Sequence, residues 1–167
     1  MMANIWYRSD ADKGASLIEI LIILTIIGIL LTIALPSIKS LGNGIMLNAT
    51  AIQLVEDLRY TQQMSLYSKG NYMLRIDTRN NSYVIRPKDG DSFTPSLKTV
   101  YLSDGIFFKS HNLAKYNQAS YRYYIEFNSV TGIPGQAGYI ELADADNNQI
   151  KIIIAVSTGR VRLEKNE

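Results

Sequence analysis

Hydrophobic and polar positions divide this chain into three stretches with different periods. Residues 15–35 are dominated by Ile and Leu, relieved by Thr25, Gly28 and Thr32 and carrying one charge, Glu19. At about 1.5 Å per residue these 21 residues just span a hydrocarbon core of roughly 30 Å. A helix is the only single-segment shape that satisfies its own backbone in lipid, so a transmembrane helix is expected over 15–36. A secretory signal peptide is the rival reading. Signal cores run about 7–15 residues and end in an A-x-A-like site, whereas this run is longer and Pro36-Ser37-Ile38-Lys39 makes a poor cleavage site.

Helical spacing continues past the apolar run. Leu47, Ala51, Leu54, Leu58, Thr61 and Ser65 recur every three or four residues and share one face, with Glu56, Asp57 and Arg59 elsewhere. Pro36 and the cluster Gly42-Asn43-Gly44 predict an interruption, as a kink or a locally melted turn. From about Asn71 the period shortens towards 2. Strands are expected near 72–77, 82–86, 98–102, 121–127, 138–142, 150–156 and 160–163. Turn signals separate them at Arg79-Asn80-Asn81, Asp104-Gly105, Thr131-Gly132, Asp146-Asn147-Asn148 and Thr158-Gly159, while 87–95 and 109–119 read as loops. The fold class expected is α+β: a long N-terminal helix, spanning a membrane and then packed on a mostly antiparallel β-sheet domain. The division is a leader over 1–14, the membrane helix over 15–36, its soluble continuation over 37–69 and a β-rich globular domain over 70–167.

Composition changes this picture little. The chain has 167 residues and a net charge of +2, and in the leader Arg8 and Lys13 cancel Asp10 and Asp12, so no global charge argument favours nucleic acid. Arg8 and Lys13 precede the helix and only Lys39 closely follows it, a bias that favours the N-terminus inside and the C-terminal domain outside. There is no cysteine, which removes disulfides, thiolate metal sites and cysteine nucleophiles. Eleven tyrosines against four phenylalanines suit strands with one packed and one wet face.

Glu19 is the anomaly. A mid-bilayer acid costs roughly 2.5–3.5 kcal/mol on insertion scales, less near the interface, so its retention asks for a partner, the alternative being an interfacial acid tolerated in a plain anchor. The stretch Lys13-Gly14-Ala15-Ser16-Leu17-Ile18-Glu19 resembles the N-terminus of type IV pilins and of the pseudopilins of type II secretion and competence systems. In that family a glycine is cleaved by prepilin peptidase and glutamate is the fifth residue of the mature chain. The resemblance implies cleavage between Gly14 and Ala15, N-methylation of the new terminus at Ala15 (where the family usually has phenylalanine), and assembly roles for Glu19, Gly28 and Pro36. The freed α-amine, with an ordinary pKa of about 7.7–8.0, would meet Glu19 of a neighbouring subunit in low dielectric. Desolvation offsets much of that attraction, so the pair sets register more than it adds stability.

The C-terminal half narrows the resemblance. Ile125-Glu126-Phe127 with Gly132, Gly138-Tyr139-Ile140-Glu141-Leu142, and Val156-Ser157-Thr158-Gly159-Arg160-Val161-Arg162 are similar to GspH/FimT-type minor pseudopilins. This implies a minor subunit, no enzyme, of a type IV pilus, type II secretion pseudopilus or competence pilus, acting in initiation or at the tip. Its implied partners are prepilin peptidase, other pilins or pseudopilins in a filament, an inner-membrane assembly platform and membrane lipid. Its implied location is the bacterial cytoplasmic membrane, single-pass with the C-terminal domain outside, and then the filament.

Four further features are candidates for chemistry. Arg160 and Arg162 lie two apart on an expected strand and so share a face. With Lys165 they form a candidate nucleic-acid edge, and DNA capture through it is the alternative function. The bland reading is a solvated strand end balanced by Glu164 and Glu167. Asp144-x-Asp146-x-Asn148 starts like a calcium loop but lacks the sixth-position glycine and the later glutamate, so a polar hairpin turn is expected. His111 is the only histidine, and Ser157-Thr158-Gly159 lacks the context of a nucleophile elbow. No catalytic residue, metal or cofactor is expected.

Overall fold

The computed structural model describes residues 16–88, 95–116 and 121–165, with the side chains of 34–41 and of Lys165 outside that description. It divides into two compact units, Met1–Lys39 and Ser40–Glu167. α1 (Leu17–Ser68) contributes to both. Nine strands follow: β1 (Tyr72–Asp77), β2 (Ser82–Pro87), β3 (Lys98–Tyr101), β4 (Ile106–His111), β5 (Ala114–Lys115), β6 (Arg122–Phe127), β7 (Gly138–Asp144), β8 (Gln149–Ile154) and β9 (Val161–Lys165).

In the first unit every described residue from Ser16 to Ile33 is exposed. The two hydroxyls of this stretch are satisfied within the helix, Thr25 Oγ1 donating to the Leu21 carbonyl at 2.8 Å and Thr32 Oγ1 to the Ile29 carbonyl at 2.6 Å. Among the described residues no helix is long and apolar enough to cross a membrane. The membrane segment expected over 15–36 extends beyond the described residues at Ala15 and beyond the described side chains at 34–36. The locally melted turn expected at Pro36 and Gly42-Asn43-Gly44 does not occur, since α1 is helical throughout. One proline removes a single N–H donor and each glycine costs about 1 kcal/mol, and the helix carries both.

In the second unit the whole expected helical face is buried, from Leu47 and Ala51 through Leu54 and Leu58 to Thr61 and Ser65. Burial of the last two is possible because each hydroxyl bonds back into the helix, Thr61 to the Asp57 carbonyl at 2.6 Å and Ser65 to the Thr61 carbonyl at 3.1 Å. Ser65 Oγ also accepts the Tyr72 N–H at 3.0 Å, which fixes the start of β1 against the helix end.

The strands form two antiparallel sheets where one was expected. Their orders are β3-β2-β1-β6-β5 and β4-β7-β8-β9. The chain crosses between them three times, from β3 to β4, from β4 to β5 and from β6 to β7, so the single expected sheet is split. Leu74, Ile76, Ile85, Ile125 and Phe127 of the first sheet share one core with Ile140, Leu142, Ile152, Ile154 and Val161 of the second and with the buried stripe of α1.

The expected loop over 109–119 is also corrected, because β4 continues to His111 and β5 occupies Ala114–Lys115. A bulge between Phe108 and Ser110 breaks the alternation there, and β5 is too short for any period to show. The bulge sets Ser110 opposite Glu141, to whose carboxylate its hydroxyl donates. The turn signals hold: Asn81, Gly105, Gly132, Asn147 and Gly159 all take positive φ.

Asp57 lies on the buried side of α1, against the expectation that it falls elsewhere. Its side chain accepts the Tyr83 hydroxyl at 2.6 Å and the Lys98 ammonium at 2.7 and 2.8 Å. One carboxylate thus ties the helix to β2 and β3. Burial, then the Asp57 hydrogen bond and charge, push the Tyr83 phenol far above its usual range. Asp57→Ala is expected to cost about 2–3 kcal/mol, because it strands the Tyr83 hydroxyl in the core. Lys98→Ala, whose ammonium arm is 41% exposed, is expected to cost under about 1 kcal/mol. Urea unfolding of the full chain in detergent micelles, followed by circular dichroism, checks the order.

His111 of β4 packs on Tyr123 of β6, ring centroids 3.9 Å apart at 53°, so it joins the two sheets. Burial holds its imidazole below the ordinary 6.5, and its Nδ1 is buried with no partner among the described residues. A depressed folded pKa means that the unfolded chain binds the proton first. Stability is then full above about pH 6.5 and falls as pH drops through that value towards the folded pKa. Melting temperatures between about pH 7 and pH 5 are expected to decline, and His111→Asn is expected to flatten that part of the curve.

Candidate functional site

The first candidate is the start of α1. Gly14 and Ala15 lie outside the described residues. Ser16 precedes the helix, and its carbonyl accepts the Glu19 N–H at 2.9 Å and the Ile20 N–H at 3.2 Å. Ser16 therefore stands at the N-cap with Glu19 three residues on, the spacing of a capping box. A carboxylate in the first turn gains about 0.3–1 kcal/mol from the helix dipole. That is smaller than the roughly 2.5–3.5 kcal/mol an acid can cost in lipid, so local helix chemistry alone does not account for Glu19. Gly28 is exposed on this helix, and a Cβ there would meet nothing within 4 Å. Pro36 is helical in backbone, with its side chain outside the description.

The second candidate is the β8–β9 end of the second sheet. The turn between the strands needs Gly159, which holds φ +64°, and a Cβ there would fall 2.6 Å from Gln62 Nε2. That amide donates to the Gly132 carbonyl at 2.8 Å, linking α1 to a neighbouring turn. The Ala155 N–H donates to the Arg160 carbonyl at 3.0 Å. Arg160 and Arg162 are both exposed. Together with Arg59, Gln62 and Gln63 of α1 and Ile153, Ala155 and Val161 of the sheet, they line a groove of about 780 Å³. The side chain of Lys165 lies outside the described residues. Its register position on β9 is opposite Ile150, whereas Arg162 is opposite Ile153, so the two positions fall on different faces of the sheet. Sequence spacing joins Arg160 and Arg162 correctly but misses Arg59, which a strand period cannot reach. Arg59 is itself paired with Glu56 at 2.7 Å on the exposed helix surface.

A third cluster, not anticipated, covers the outer face of the first sheet. Arg75 lies 4.9 Å from the Tyr116 ring centroid, Arg79 5.9 Å from that of Tyr121, and Arg122 pairs with Asp77 at 3.2 Å. Burial, with the nearby charges of Arg122 and Arg86, lowers the Arg75 pKa. Burial pushes the Asp77 carboxyl up, but the Asn80 and Arg79 N–H groups and the Arg122 guanidinium outweigh it and hold the pKa below its usual value. These cations already have partners on the sheet, and the cluster reads as internal satisfaction of a polar face.

The remaining motifs have local structural roles. Asp144 is buried, and its carboxylate accepts the Asp146 and Asn148 N–H groups and the Asn148 amide at 2.8–3.0 Å, which builds the β7–β8 hairpin. Ser157-Thr158-Gly159 forms the β8–β9 turn, where Thr158 Oγ1 accepts the Arg160 N–H at 3.3 Å.

The family model described as the prokaryotic N-terminal methylation motif matches residues 10–35, the stretch holding Gly14, Ala15, Glu19 and Gly28. No curated protein matches the chain. Among solved structures, the fold is similar to the minor pseudopilin EpsH from the type II secretion system of Vibrio cholerae. That match has 12% identity and a TM-score of 0.57, covering 73% of this chain and 96% of the other. It is also similar to the type IV minor pilin FimU of Pseudomonas aeruginosa, at 13% identity and a TM-score of 0.54, covering 71% and 92%. At such identities the likeness is one of fold, and the motif is the independent sign. The chain thus carries a prokaryotic N-terminal methylation motif at the start of a long helix, and its fold is similar to that of a minor pseudopilin and a type IV minor pilin.

Proposed function

We propose that the chain is a minor pilin or pseudopilin subunit of a type IV pilus, a type II secretion pseudopilus or a competence pilus. It is made as a single-pass precursor in the bacterial cytoplasmic membrane, with the C-terminal domain outside. Prepilin peptidase cleaves it between Gly14 and Ala15, and it enters the filament through the assembly platform at initiation or at the tip. The observation that carries this reading is the exposed apolar helix start with Glu19 in its first turn. Its large side chains stand uncovered, from Leu17 at 80% exposure to Ile33 at 69%. Burying such side chains is worth about 1.5–3 kcal/mol each, so the helix requires lipid first and other helices afterwards.

Cleavage supplies what Glu19 lacks. The new α-amine at Ala15 is cationic near neutral pH and pairs with Glu19 of a neighbouring subunit, which selects the axial register by leaving any misplaced acid unpaired. Gly28 leaves room for close approach of a neighbouring helix. The nucleic-acid alternative has the exposure of Arg160 and Arg162 in its favour, and the position of Lys165 does not add to that pair. Two phosphate contacts give a salt slope of only about −2.

Two outcomes test the proposal. N-terminal sequencing of the mature protein is expected to start at Ala15 in cells that hold prepilin peptidase and to retain the leader in cells without it. Glu19→Ala is expected to leave that cleavage intact while removing the protein from sheared filaments. Co-assembly of the variant at wild-type level would contradict the role given to Glu19.

A further inference from the structure

The groove between α1 and the β8–β9 end is lined by three kinds of side chain. Ile153, Ala155 and the buried Val161 are apolar. Gln62 and Gln63 bring carboxamides. Arg59, Arg160 and Arg162 bring guanidinium groups, and Arg162 is the cross-strand partner of Ile153. Glu56 balances Arg59, whereas among the described residues Arg160 and Arg162 enter no ion pair within 4.0 Å. The groove therefore brings cationic, amide and apolar side chains together.

That mixture separates two kinds of anionic partner. A nucleic acid would engage the arginines with its phosphates but leave the apolar side chains unused. Among the described residues that line the groove none is aromatic, so they offer no platform for base stacking. A polypeptide in extended conformation alternates its side chains between two sides. With acidic residues on one side and apolar residues on the other, it offers partners to the arginines and to the apolar side chains at once. Its backbone amides match the carboxamide that Gln63 presents, since Gln62 is engaged by Gly132. β9 ends the order of the second sheet, so an extended segment alongside it finds a strand edge unpaired among the described strands.

We infer that this groove is a docking site for an extended acidic–apolar segment of a partner protein. The inference does not depend on cleavage at Gly14 or on Glu19, and it fails or stands separately from the assembly reading.

The test uses the full-length protein in detergent micelles and fluorescence anisotropy. The probes are a capped, labelled peptide of alternating Glu and Val, its Lys–Val counterpart, and a labelled DNA duplex. The Glu–Val peptide is expected to bind in the millimolar range or tighter and the Lys–Val peptide not to bind. Arg160→Ala/Arg162→Ala is expected to weaken binding roughly tenfold or more, a change of about 1.4 kcal/mol. Ala155→Trp, which fills the groove and keeps every charge, is expected to do the same. Gln63→Trp blocks it from an exposed position of α1 and serves if Ala155→Trp alters the circular dichroism spectrum. The inference is overturned if the Glu–Val peptide does not bind, if both peptides bind alike, or if a correctly folded groove-blocking variant binds it as wild type does. DNA displacing the peptide with an affinity that the blocking variants leave unchanged would assign the arginines to nucleic acid instead.

Discussion

The contact on which the second unit depends is the stripe that α1 buries between Leu47 and Ser65. Both sheets use it: the inner residues of each share one core with this single helix face. An antiparallel sheet with one apolar face needs a cover for that face, and here the helix covers two sheets with six positions spaced at three or four. The stripe changes character along its length, from Leu47 and Leu54 to Thr61 and Ser65. The polar end stays buried because its hydroxyls bond the helix backbone and the first N–H of β1. Asp57, on the flank of the stripe, adds a charge-assisted tie to Tyr83 and Lys98, so the helix is fixed to the first sheet by geometry as well as by area.

The same helix faces a different requirement in its first unit. Residues 17–33 show no polar face, and their threonines satisfy themselves internally. Such a helix is stable where water is absent, in lipid or among other helices. Glu19 is the exception, and magnitudes decide its reading. The helix dipole offsets only a fraction of the cost of an acid in apolar surroundings, so the proposed function assigns Glu19 a cation from outside the helix. Cutting after Gly14 would create one at the required level of the chain.

The sequence was informative where a period runs uninterrupted. The helix stripe was legible residue by residue because six positions repeat at 3–4 spacing, and seven strands were legible because alternation holds across four or more residues. The turns were legible because asparagine and glycine tolerate positive φ. What escaped lacked a period or was non-local. The bulge at Phe108/Ser110 reverses the alternation within β4, and β5 has two residues. The split into two sheets depends on which strands pair, and turn spacing does not encode that. Asp57 reads as a surface charge until Tyr83 and Lys98, 26 and 41 residues away, supply its partners. At the candidate sites the N-terminal motif was fully legible, being local. The β8–β9 groove was half legible: Arg160 and Arg162 are two apart, but Arg59 reaches them only through the fold.

The two candidate sites divide the work between them. In the proposed function the N-terminal helix supplies the generic requirements of entering a filament, and the groove of the second unit is inferred to offer the chemistry by which one subunit differs from another. The central claim is that Glu19 finds its partner in the freed amine of another subunit. Zero-length carbodiimide cross-linking of assembled filaments, read by mass spectrometry, tests it most directly. The account predicts a peptide in which the Glu19 carboxyl is joined to the N-terminal amine of a neighbouring chain. Filaments that contain the protein but yield Glu19 unlinked, while other proximal acid–amine pairs are captured, would contradict it.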